Sequence, residues 1–148
     1  LNALTGEILW TYDAKCINDS AFPGGVMGSP LLGQAGTNMD GMVIFCIGRT
    51  PTYRSAQVIA FDKENGNILW QQEVNNNVWS SPLPLYTEKG RGYIFLADIS
   101  GTCYLLDGET GEIVNTLELK RTVESSPVAF GNKILLGTRP AIVLLEIT

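Results

Sequence analysis

The sequence predicts an all-β chain made of repeated, four-stranded antiparallel units. Three observations predict it. Two short markers recur in the same order, three times over, along the 148 residues. Between them lie short runs of Leu, Ile, Val, Tyr and Phe bounded by Gly, Asp, Asn and Ser, which is the pattern of strands and tight turns. No stretch carries the 3.6-residue apolar period of a long helix.

The first marker is a turn followed by an apolar run. It reads Leu1-Asn2-Ala3-Leu4-Thr5-Gly6-Glu7-Ile8-Leu9-Trp10, then Phe61-Asp62-Lys63-Glu64-Asn65-Gly66-Asn67-Ile68-Leu69-Trp70, then Leu106-Asp107-Gly108-Glu109-Thr110-Gly111-Glu112-Ile113-Val114-Asn115. Its glycines lie 60 and then 45 residues apart. The second marker is Gly28-Ser29-Pro30, Ser80-Ser81-Pro82 and Ser125-Ser126-Pro127, spaced by 52 and 45. Glycine supplies positive φ in such hairpin turns without steric cost. Asp62 and Asp107 open their turns, where a carboxylate accepts backbone N–H groups.

A unit of about 45 residues with four strands is the signature of a β-propeller blade. Residues 1–25 read as the closing strand of one blade and a connector. Residues 26–74 form a blade with two insertions, 33–41 between strands A and B and 49–55 between B and C. Insertions in a repeat map to one face, so these loops are the ones most able to carry specificity. Residues 79–119 form the best-preserved blade, with strands over 83–86, 93–97, 102–106 and 113–119. Residues 124–148 form an incomplete blade with strands over 128–130, 133–137 and 141–145. These are twelve strands, about three blades' worth, whereas propellers typically need four to eight blades. Residue 1 falls inside a repeat. The expectation is a fragment of a larger propeller, or one completed by oligomerisation, two copies giving six blades. Three blades alone leave apolar faces and strand edges uncovered.

Composition narrows the functional classes. The chain is 45% hydrophobic and 17% charged, which fits a folded core and not a disordered segment. Net charge is −5, which argues against a nucleic-acid surface or an anionic membrane surface. The longest apolar runs are about six residues, too short for membrane insertion as a helix. The start of the sequence carries no signal-peptide pattern. The absence of histidine removes His-based triads, the commonest general base and His-rich zinc sites. Cys16, Cys46 and Cys103 are far apart and read as free thiols acting as small hydrophobes, with a Cys16–Cys46 disulfide as the alternative.

At this point the residues resemble a known family. The pattern Ala60-x-Asp62-x-x-x-Gly66-x-x-x-Trp70 is similar to the repeat of pyrroloquinoline-quinone-like (quinoprotein-type) propellers. That family includes quinoprotein alcohol dehydrogenases and the lipoprotein scaffold of bacterial outer-membrane protein assembly. The resemblance covers nearly the whole chain, with departures. Asn2 and Glu146 stand where Asp is usual, and Asn115 stands where Trp is usual. It implies that Trp10 and Trp70 dock between neighbouring blades, that the junction at Asn115 is packed differently, and that the protein is periplasmic or extracellular. It does not bring a cofactor. The dehydrogenases of the family carry an acidic base, calcium ligands and usually a vicinal cysteine pair, and this chain has no adjacent cysteines. The run from Asp107 to Glu112 lacks the ligand alternation of an EF-hand and reads as a hairpin turn, so no metal and no cofactor are expected.

The candidate site is the axial funnel. The start of strand A and the end of strand B lie near a propeller axis. That selects Met27, Trp79 and Glu124 before the Ser-Pro markers, and Arg49, Asp98 and Arg139 after strand B. A ring of Arg, carboxylates and one Trp can hold an anionic or aromatic ligand or a peptide; the competing reading is that these groups are solvated or pair with one another. Asn18-Asp19-Ser20 fits a glycosylation sequon by composition alone. Asn75-Asn76-Asn77 reads as a polar connector. Phe22-Pro23-Gly24-Gly25 reads as a turn and not as a phosphate loop. The serines before proline have no base and are not nucleophiles.

These readings converge on a non-catalytic binding or scaffold module that presents loops and a funnel to a protein, peptide or small ligand. The partner is then a protein, a peptide or the remainder of the propeller, a homodimer being one form. The alternatives are a fragment of a pyrroloquinoline-quinone-dependent dehydrogenase with its catalytic residues in other blades, and an accessory propeller of a multidomain enzyme.

Overall fold

The computed structural model describes residues 2–17, 24–50 and 55–148. The sequon at 18–20, the turn residues 22–23 and most of the second insertion lie outside the described residues. The described chain contains strands and turns and no helix.

Three antiparallel sheets follow one another along the sequence. In the first, β1 (Gly25–Val26) and β2 (Leu31–Leu32) both pair with β3 (Met42–Gly48), followed by β4 (Ala56–Asp62) and β5 (Ile68–Val74). The second runs β6 (Leu83–Tyr86), β7 (Gly92–Ala97), β8 (Thr102–Asp107) and β9 (Ile113–Glu118). The third has β10 (Val128–Phe130), β11 (Lys133–Gly137) and β12 (Ile142–Glu146). The strands expected in the second and third units are the strands seen, to within a residue or so at their ends.

Two differences have physical causes. Residues 2–17 form no strand, although residues 1–25 are expected to hold the closing strand of a blade. A strand exists by pairing, and no described strand lies alongside this segment to pair with it. The first strand A is split into β1 and β2 by residues 27–30. There the Ser29 N–H donates to Ser81 Oγ at 2.9 Å, and Pro30 has no N–H to give a ladder.

The central strands are buried on both faces, because each sheet packs against a neighbour. Ile44, Cys46, Val58 and Ala60 of the first sheet meet Ile94, Leu96, Tyr104 and Leu106 of the second. The opposite faces of β7 and β8 give Phe95, Ala97 and Cys103 to Ile134 and Leu136 of the third sheet. The outer face of the first sheet is covered by the N-terminal segment, whose Trp10, Ala14 and Cys16 pack on Ile47, Ile59 and Phe61. On the third sheet Val128, Phe130, Ile142 and Leu144 stay exposed, Ile142 at 77%. That open apolar face is what a partial propeller leaves where the next blade would pack.

The three marker turns are alike. Asn2, Asp62 and Asp107 each accept two backbone N–H groups on Oδ1, at 2.9 and 3.2, 2.8 and 3.2, and 2.9 and 3.1 Å. Gly6, Gly66 and Gly111 sit at φ near +75°. A register shift follows in both complete sheets, skipping Leu69 and Val114, so that Trp70 lies opposite Ala60 on the face towards the next sheet.

Trp70 then docks across the junction. Its Nε1–H donates to the Gly108 carbonyl at 3.2 Å, and its ring lies against Gly111, where a Cβ would overlap it. Trp10 repeats this on the first sheet, donating to the Lys63 carbonyl at 3.0 Å and stacking on Phe61 with centroids 5.7 Å apart, over Gly66. Trp70 thus reaches from the first sheet to the second, while Trp10 reaches the first sheet from a segment that forms no strand. Asn115, in the third such position, is exposed, and its side chain turns back to the Thr116 N–H.

The first insertion does not project as a free recognition loop. Met39 is fully buried and seated against Gly92 and Gly108 of the second sheet, while Asn38 Oδ1 accepts the Gly92 N–H at 2.7 Å. The loop is a clip between sheets.

Trp70→Ala is expected to cost about 3–5 kcal/mol in urea unfolding, since a buried ring is removed from a junction that cannot collapse fully. Gly111→Ala is expected to destabilise in the same assay, because it strains the positive-φ turn and pushes the same ring out of place.

Candidate functional site

The two markers build the junctions between sheets, and the junctions place the candidate residues. Ser29 N–H donates to Ser81 Oγ at 2.9 Å, and Ser81 N–H donates to Ser126 Oγ at 3.0 Å. Each serine hydroxyl thus holds the preceding sheet at the entry to strand A. The sequence showed the serines as a repeat marker; their role as the rungs between sheets is seen only in three dimensions. Met27, Trp79 and Glu124 each lie two residues before a rung, on neighbouring sheets.

Strand B ends are tied in a similar way. Asn77 Oδ1 accepts the Arg49 N–H at 3.0 Å, and the Asn77 carbonyl accepts the Ile99 N–H at 2.9 Å. The Thr122 carbonyl accepts the Arg139 N–H at 3.0 Å. The asparagine connector is therefore a bridge between two sheets and more than a tolerant turn.

Of the six expected rim residues, the structure joins Glu124 and Arg139 directly. The guanidinium contacts one carboxylate oxygen at 2.7 and 3.1 Å, with the Arg139 side chain 74% exposed. Met27 is exposed and Trp79 half-buried. Arg49 and Asp98 are closed off from solvent, at 2% and 0% exposure. Arg49 has a left-handed backbone, φ 51°, and its carbonyl accepts the Ile17 N–H at 2.8 Å.

Asp98 is consumed by its own surroundings. Its Oδ1 accepts from Ser100 N–H, Ser100 Oγ–H and Thr102 N–H at 2.9, 2.6 and 3.1 Å, and its Oδ2 accepts from the Tyr104 hydroxyl at 3.0 Å. A buried carboxylate needs such partners. Burial, with Asp98 adding to it, pushes the Tyr104 phenol up to about 12. The Tyr104 oxygen in turn accepts the Asn75 N–H at 3.3 Å. Tyr104 was no candidate from sequence, since a Tyr in an apolar strand reads as core.

Asp107 is likewise structural. Burial alone would raise its pKa, but the Glu109 and Thr110 N–H groups and the Arg91 guanidinium outweigh it and hold it below the usual carboxylate range. With the turn amides and Arg91 on its oxygens, the 107–112 run is a hairpin turn. Among the described residues, no group of three His, Cys, Asp or Glu converges as metal ligands do. The three cysteines are free thiols, and burial pushes Cys46 up to about 12 and Cys103 to about 11.

Three successive antiparallel sheets packed face to face, with repeated marker turns and Trp70 docked across the first junction, define a partial β-propeller of the pyrroloquinoline-quinone-like repeat class. The chain belongs to the family described as outer membrane protein assembly factor BamB, whose model matches residues 1–89 and again 54–143. Among solved structures, BamB from Moraxella catarrhalis superposes with TM-score 0.66 at 20% identity, over 95% of this chain and 37% of that one. Quinohemoprotein alcohol dehydrogenase from Comamonas testosteroni superposes with TM-score 0.58 at 19% identity, over 89% of this chain and 19% of that one. By sequence, the chain is 36% identical to the β-alanine-activating enzyme of Danio rerio over 85 residues. It is 28% identical to the Homo sapiens protein of that name over 76 residues. Those stretches are 55% and 50% of this chain and 7% of each enzyme.

Three outcomes follow. Asp98→Ala is expected to destabilise the fold by about 3 kcal/mol or more, because it strands a buried hydroxyl and two turn amides. Arg139→Ala at the exposed pair is expected to cost about 0–1 kcal/mol, and urea unfolding of both variants distinguishes the two roles. With its pKa lowered in the fold, Asp107 contributes stability that is present above the unfolded carboxylate pKa, about 3.9, and lost as pH falls through the folded value. Asp107→Asn is expected to keep the turn, as Asn2 does in the first one, and to flatten that acid limb in pH-dependent melts.

Proposed function

We propose that the chain is part of a non-catalytic binding or scaffold propeller whose blades run over 26–74, 79–119 and 124–148. The observation that carries this reading is the fate of the ionisable groups. Asp98 and Asp107 are locked into structural hydrogen bonds, which leaves a rim of exposed Met27, half-buried Trp79 and the Glu124–Arg139 pair. Such a rim has a charged pair, an aromatic and a flexible apolar side chain, the groups that hold a peptide or an anionic or aromatic ligand. Membership of a family described as an assembly factor supports a protein partner.

A second reading has its own support, the 36% identity with a β-alanine-activating enzyme over 7% of that enzyme's length. In it the propeller is an accessory module of a multidomain enzyme and binds without performing chemistry. Both readings agree about this chain and differ about what it is attached to. A periplasmic or extracellular location goes with the scaffold reading. No helix among the described residues is long and apolar enough to cross a membrane.

The competing dehydrogenase reading is tested by titrating pyrroloquinoline quinone with calcium and following tryptophan fluorescence and dye-linked alcohol oxidation. The expected outcome is no saturable quenching and no turnover. Tight quinone binding or alcohol oxidation by the full-length protein would overturn the scaffold reading.

A further inference from the structure

We draw no further inference here: the strongest candidate, the open apolar face of the third sheet formed by Val128, Phe130, Ile142 and Leu144 beside the outer edge of β12, carries none because nothing in the structure shows what covers it.

Discussion

A tryptophan laid across a glycine turn of the next blade is the contact on which the rest depends. Trp70 buries its ring on the second sheet's turn, Trp10 lays a half-buried ring on the first sheet's turn, and each donates to a carbonyl there. The contact needs several features at once. The register shift before it turns the indole to the right face. The glycine leaves room for the ring and supplies the positive φ that closes the turn. The Asp opening each receiving turn, Asp62 or Asp107, holds its amides, so that the carbonyl that receives the indole is fixed in place. Because donor and acceptor lie on different blades, no blade stabilises itself this way. Stability then resides in nearest-neighbour interfaces, as in other repeat architectures.

The same dependence explains why the two junctions differ. The first has Trp70, Met39 and the Ser29–Ser81 rung. The second keeps its rung, Ser81–Ser126, but has Asn115 in place of Trp and no loop from the hairpin. The apolar residues around it, among them Phe95, Leu105, Ile134 and Leu145, still hold the third sheet. Packing there is less complete, and two grooves remain along the junction, one beside Asn115 and one beneath the hairpin. In a repeat protein such departures from the repeat are free to acquire other uses, because the repeat itself already secures the fold.

Most of the fold was legible because it is written twice or more. Strand boundaries at 83–86, 128–130 and 133–137 follow from turn glycines and apolar runs, which are local signals. The place of Trp70 over the next sheet's turn is in line with what the family resemblance implies. What was not legible is what depends on a partner distant in sequence. The apolar stretch Ile8–Leu9–Trp10 has strand character, yet no strand lies beside it among the described residues. Pro30 and the Ser29 rung break strand A because Ser81 lies across the junction. Met39 looked like part of a recognition loop; its burial comes from Gly92 and Gly108, more than fifty residues away. Arg49 and Asp98 were placed by position at a strand end, and a strand end does not say whether the side chain faces water.

Asp98 shows most clearly how the functional argument shifts. A carboxylate beyond the end of an inner strand is the natural candidate for an acid, a base or a ligand. Here three donors from its own turn occupy one oxygen and the Tyr104 hydroxyl the other. To act on a ligand it would have to give up bonds that a buried charge requires. Its network also reaches across the junction, since the Tyr104 oxygen holds the Asn75 N–H of the connector entering the sheet. Asp98 is thus part of the mechanism that joins blades. With Asp98 committed to joining blades, the expected rim residues left outside such a network are the Glu124–Arg139 pair, exposed Met27 and half-buried Trp79. Fold alone does not assign a function; here the division between residues the repeat uses and residues it leaves over does the narrowing.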